Sequence, residues 1–148
     1  MKPEMKYTCT NTLQQQRDKD LMRVYHELIS SAKEIRMMNI YEQIVMRPAK
    51  RFWVSEERAA VVIAAMMNGN RLQKMRKTKR EMFLEIFKRA MRIKKRNPNM
   101  TPFELATLVV KQPAPKFYLT AVSARIYILN VKKKWYEERR KKLRHLFC

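Results

Sequence analysis

Residues 48–63 read PAKRFWVSEERAAVVI, and residues 113–128 read PAPKFYLTAVSARIYI. Superimposed at a constant offset of 65, five of sixteen positions are identical (Pro, Ala, Phe, Ala, Ile). Five more pair Arg with Lys, Trp with Tyr, Val with Leu, Ser with Thr and Val with Ile. Each copy opens on a proline that stops a preceding helix, continues through an aromatic pair, and reaches an aliphatic residue, Val54 or Leu119. A hydroxyl then follows, Ser55 or Thr120, able to accept from the early amides of a new helix. Val54 and Leu119 are placed for a staple onto Ala59 and Ala124.

Working outward, each copy is preceded by the pattern of a long amphipathic helix and then a short one. Leu21, Val24, Tyr25, Leu28, Ala32 and Ile35 recur at three- and four-residue steps and predict a helix from near Thr12. Asn39 to Glu42 (NIYE) reads as the start of a short helix ending at Pro48. Ser55, followed by Glu56 and Glu57, caps a third with Ala59, Val62, Ile63 and Met66 on its buried stripe, and Gly69, the only glycine, marks its end. In the second half, Phe83, Ile86, Phe87, Ala90 and Ile93 set out a helical face stopping before Pro98. Thr101, Pro102 and Glu104 give the strongest local helix start in the chain. Residues 112–115 break that helix, and Thr120 caps a long last one running through Ile126, Leu129 and Trp135.

The expected fold is therefore all-α, a small bundle of two related helix, short-helix, turn, helix units. Its divisions are a flexible 1–12, a first unit 13–69, a basic connector 70–80 and a second unit 81–148 ending in a long basic helix. A short helix, a turn and a capped helix is also the plan of a helix-turn-helix, whose second helix enters the major groove. The connection 47–54, however, is longer than the usual three- or four-residue turn and has no glycine. The run Pro113-Ala114-Pro115-Lys116-Phe117-Tyr118 resembles one in small basic proteins of uncharacterised function encoded by bacteriophages and mobile elements. That likeness covers the two repeated segments and brings no functional residues with it.

Charge indicates the kind of partner. The chain of 148 residues carries 34 Lys and Arg against 13 Asp and Glu, a formal charge of +21. Residues 71–96 hold a net +10 and residues 131–148 a net +6, so 16 of the 21 net charges fall in 44 residues. Dense cations gain affinity by releasing counterions from phosphates, and they repel one another when nothing neutralises them. The competing reading is a solvated helix face held by Glu137 with Lys141 and Glu138 with Lys142. The candidate phosphate contacts are Lys74, Arg76, Lys77, Lys79, Arg80, Lys88, Arg92, Lys95 and Arg96 in the first dense segment. In the second they are Lys132, Lys133, Lys134, Arg139 and Arg140. Arg51 and Lys116 adjoin the aromatic pairs Phe52–Trp53 and Phe117–Tyr118, which at helix junctions are expected in the core, with base stacking as the second reading. Arg58 and Arg125 lie near the starts of the two capped helices, where a recognition helix reads base edges.

Other classes are disfavoured. The longest wholly apolar run, 59–67, has nine residues, against about 20 for a membrane span. The first twenty residues lack the apolar core of a secretory signal, which predicts a cytoplasmic or nucleoprotein-associated location, a virion being the alternative. Cys9 and Cys148, with His26 and His145, supply neither a disulfide framework nor zinc-ligand spacing. Asp18 and Asp20 diverge on a helix and read as a charged helix start, His26 lacks a nucleophile partner, and one glycine cannot make a phosphate loop. No enzyme and no cofactor are expected, and the twelve methionines read as core filling. The reading is a non-catalytic nucleic-acid-binding protein, with double-stranded DNA preferred and RNA second. The alternative is an assembly protein of a virion or nucleoprotein particle that docks on acidic protein surfaces. A third reading lays the helix 135–147 on an anionic membrane.

Overall fold

The computed structural model describes the backbone of residues 4–31 and 37–147, and the side chains of 12–31 and 39–146. Among these residues there are six helices: α1 (Glu4–Ser31), α2 (Met37–Val45), α3 (Glu56–Met67), α4 (Lys77–Arg96), α5 (Pro102–Val110) and α6 (Ala121–Phe147). No strand occurs among them beyond one isolated bridge, so the fold is all-α. Ala32 and Ile35, expected on the first helical stripe, lie outside the described residues, as does Cys148.

Local chemistry explains most helix ends. Ser55 accepts from the Arg58 amide, and Thr101 with Glu104 closes a reciprocal capping box with Pro102 at the first position. Thr120 accepts from the Ser123 amide at 3.1 Å. Gly69 adopts φ +94, and the amides of Gly69 and Asn70 return to Met66 and Ala65, ending α3 as a left-handed residue ends a helix. Two starts differ from the sequence expectation. α1 begins at Glu4, well before Thr12, so the helix runs eight residues further toward the N-terminus than the apolar period marks. α2 begins at Met37, which places Asn39 inside the helix rather than at its cap.

Packing follows a pattern that local sequence does not spell out. α1, α2 and α6 pack together as one lobe and α3, α4 and α5 as the other, and among the described residues no helix of one lobe packs against a helix of the other. In the 65-residue repeat, α1, α2 and α3 correspond to α4, α5 and α6. Each half therefore contributes its third helix to the lobe of the other, and the lobes differ from the chain segments 13–69 and 81–148. Eight extended residues reach about 26 Å, enough for the connection 47–54 to carry α3 across. The short helix and capped helix that follow one another in sequence, α2 and α3, do not touch; the touching pairs are α5 with α3 and α2 with α6.

The two connections cross as an antiparallel pair. Ala49 and Ala114 exchange both backbone bonds, at 3.0 and 3.1 Å. The Phe52 amide donates to the Val110 carbonyl at 3.0 Å, and the Phe117 amide donates to the Val45 carbonyl at 3.1 Å. All four bonds interchange under the offset of 65, so the molecule has an internal two-fold relation about this crossing. Phe52, Phe117 and Tyr118 are buried there, Phe52 stacks on Tyr118, and Trp53 is half-buried. These aromatics are core, and the base-stacking reading does not apply to them.

Each long helix braces the crossing with an acid and an arginine. On α1, Asp20 is 2% exposed; it accepts from the Lys50 amide (2.8 Å), from Trp53 Nε1 (3.0 Å) and from Arg23 (2.7 Å). On α4, Arg89 pairs with Glu85 at 3.0 Å and donates to the Pro113 carbonyl at 2.9 Å. Asp20 corresponds to Glu85, and Trp53 to Tyr118, whose phenol is pushed up by burial and by Glu85. Asp20 is thus not part of a charged helix start: α1 begins sixteen residues earlier, and the carboxylate sits at the heart of the crossing. Asp20→Ala should lower unfolding free energy by about 3 kcal/mol, because it leaves the Lys50 amide and Trp53 Nε1 without their acceptor and Arg23 with Glu27 as its one remaining carboxylate. Asp18→Ala, which loses only the partly exposed pair with Arg17, should cost less than about 1 kcal/mol in the same denaturant titration.

Glu81 accepts from Lys116 at 2.9 Å, and that bond holds its carboxyl below the ordinary value of 4.5. A depressed carboxyl contributes stability above its unfolded value and loses it as pH falls through the folded one. Glu81→Gln should therefore leave stability least changed in strong acid, and its unfolding midpoint should fall away from wild type as pH rises past 4.5.

Candidate nucleic-acid interface

The eighteen candidate cations separate into those the fold uses and those it leaves unpaired. Four are used. Arg51 donates to the carbonyls of Phe52 and Val54, lies 3.9 Å from Glu56 and covers the Trp53 ring. Its counterpart Lys116 binds Glu81 and lies over Tyr118. Lys132 donates to the Tyr25 hydroxyl and sits over that ring. Arg80 donates to the carbonyls of Leu72 (3.2 Å), Gln73 (3.3 Å) and Met75 (2.8 Å). These side chains stabilise backbone turns and rings.

The other fourteen are exposed, and none makes an ion pair or side-chain hydrogen bond among the described residues. They fall into three groups. Lys88, Arg92, Lys95 and Arg96 lie along the outer face of α4, opposite its buried Phe83, Ile86 and Ala90. Arg125, Lys133, Lys134, Arg139 and Arg140 lie on α6, where every residue of 133–146 is exposed. That helix of 27 residues is about 40 Å long, and beyond Lys132 it keeps contact with α1 through Trp135, which stacks on His26. Neither Glu137 with Lys141 nor Glu138 with Lys142 closes as an ion pair, which removes the pairs that supported a merely solvated face.

The third group surrounds a cleft. Arg58, in the first turn of α3, and the loop that follows that helix flank a cleft of about 810 Å³ that is open to solvent. Arg58, Arg71, Lys74, Arg76 and Lys79 line it, with Asn70, Gln73 and Met75 between them and no acidic residue. Lys77 stands beside it at the start of α4. Arg71 is the lining cation that no sequence pattern singles out: it follows no helical period, and only the fold of the loop brings it to Arg58.

The loop is held by defined contacts. Gly69 (φ +94) and Leu72 (φ +57) both adopt left-handed backbone, Leu72 is buried, and its amide donates to Asn70 Oδ1 at 2.8 Å. A left-handed leucine is strained, and burial of its side chain with the three Arg80 bonds offsets that strain. The sequence places Arg80 among the phosphate contacts; its guanidinium is instead taken up by the carbonyls of the loop. Arg80→Met, which keeps the stem and removes the three bonds, should accelerate hydrogen exchange across 70–76 while lowering global stability by only about 1–2 kcal/mol.

Among the described residues no helix is long and apolar enough to cross a membrane, and no cluster of three potential metal ligands occurs. No protein-family model, no curated protein and no solved structure matches the chain.

Proposed function

We propose that the protein is a non-catalytic nucleic-acid-binding protein that grips phosphate backbones through α4, α6 and the cleft between α3 and α4. The observation that carries this reading is the set of fourteen exposed cations without an internal counter-charge. Cations kept apart from carboxylates destabilise the free protein by mutual repulsion, and a polyanion reverses the sign of that term. The reading also fits the division of labour between like residues. Arg51, Arg80, Lys116 and Lys132 have partners and point to the fold, so the unpaired set is not a by-product of a generally basic composition.

Double-stranded DNA is the preferred substrate. Single-strand binders use aromatic platforms on which bases stack, and here the four aromatics of the proline turns are taken up by the crossing. Straight helices carrying cations at i, i+4 and i+7, as Lys88, Arg92 and Lys95 do, suit a regular backbone of phosphates.

Titration of duplex DNA, duplex RNA and single strands across salt tests the reading. Binding through six to ten phosphates predicts a loss of about 10³ to 10⁵ in affinity between 50 and 200 mM. Replacing Lys88, Arg92 and Lys95 with glutamine should reduce the slope of log affinity against log salt by about 0.9 for each phosphate that is no longer neutralised. A weak interaction with a flat salt response, alongside capture of an acidic protein surface, would overturn it in favour of the assembly reading.

A further inference from the structure

We infer that the cleft flanked by Arg58 and the loop 69–79 is a discrete pocket for a compact, multiply charged phosphate group, a terminal phosphomonoester or a pyrophosphate. Five cations converge on one concavity with no carboxylate on its wall. A phosphodiester of a nucleic-acid backbone carries one negative charge, whereas a terminal phosphate carries about 1.5 to 2 and offers three strong acceptor oxygens. Convergence of this density therefore matches a chain end or a polyphosphate better than the interior of a strand. The cleft, about 810 Å³ and open to solvent, does not by its size restrict the ligand to a single phosphate.

The internal two-fold relation supplies an independent line. Under the offset of 65, Arg58 corresponds to Ser123, and the loop 69–79 corresponds to 134–144, which is continuous helix within α6. The crossing is built twice; the cleft is built once. The loop links α3 to α4 and is held in place by a buried left-handed leucine and an arginine bound to three of its carbonyls. α4 begins here with basic residues and no side-chain cap, the arrangement its dipole least favours until an anion sits at the helix start. Asn70 and Gln73 add neutral groups that can hydrogen-bond the phosphate oxygens or a group attached to them.

The pocket rests on the nucleic-acid reading only for the source of its phosphate. Fluorescence anisotropy at one salt concentration would compare the full chain on a duplex with 5′-phosphate ends against the same duplex with 5′-hydroxyl ends. Calorimetry would measure binding of inorganic pyrophosphate and of a nucleoside triphosphate. The expected result is at least about tenfold tighter binding of the phosphorylated duplex, or binding of pyrophosphate in the micromolar range, or both. Arg71→Gln with Lys74→Gln, two exposed side chains without partners, should abolish that preference and the pyrophosphate heat. Lys88→Gln with Arg92→Gln should weaken both duplexes equally and leave pyrophosphate binding in place. Preference for the 5′-phosphate duplex over free pyrophosphate identifies a nucleic-acid end as the source; pyrophosphate binding with no capture of any duplex keeps the pocket and removes the nucleic-acid reading. Equal affinity for the two duplexes with no pyrophosphate heat, or equal loss of pyrophosphate binding in both variants, would overturn the pocket.

Discussion

The crossing of two proline-stopped connections at Ala49 and Ala114 is the constraint on which the rest of the structure depends. Four backbone hydrogen bonds join the connections where an extended segment would otherwise bury unpaired amides and carbonyls. The same crossing sends α3 and α6 into opposite lobes, so neither half of the chain completes a hydrophobic core with its own helices. Asp20 with Arg23, and Glu85 with Arg89, tie the crossing to the two long helices, which is why a carboxylate is kept in a site that is 2% exposed. Burial of a charge is tolerated there because every lone pair that faces the interior has a donor.

What was legible in the sequence was local. Ser55, Thr101 and Thr120 cap the helices that their positions predict, since a hydroxyl and the amide two or three residues on are neighbours whatever the tertiary fold. The buried stripe of α4 and the core position of Phe52, Phe117 and Tyr118 follow from period and size in the same way. The repeat itself is visible, but not the exchange it produces. Hydrophobic period tells which face of α3 is buried, and both α2 and α5 offer an apolar face of similar size. Only the length of the connection, too long for a tight turn, distinguishes them. Asp20 escapes a correct reading for the same reason: its partners lie 30 and 33 residues away on a turn whose approach to α1 no local pattern encodes.

The candidate interface is legible as a composition and not as a set of residues. Density of Lys and Arg marks a segment, but a cation within a dense segment is free only if no carbonyl, ring or carboxylate reaches it. Arg51 and Lys116 occupy equivalent places in the repeat and do equivalent work over Trp53 and Tyr118, so duplication alone separates them from the binding set. Arg80 looks like its neighbours Lys77 and Lys79 in sequence, yet its planar five-donor group is the one that can serve three carbonyls at once. Arg71 gives no signal because its role depends on a left-handed turn at Leu72, a residue type that gives no sign of adopting one.

Symmetry then separates what the fold needs from what it does not. Features that recur at an offset of 65, the crossing, the carboxylates Asp20 and Glu85 and the covered rings, account for how two lobes hold together. Features that break the relation are the loop 69–79 with Arg58 opposite it, and the distal turns of α6. Both exceptions are basic and both are unpaired, and together they contain more than half of the net charge. Crowded cations repel one another and add nothing to the stability of the free fold. On the proposed reading these two places are where a partner acts, since an anion of high charge density relieves that repulsion.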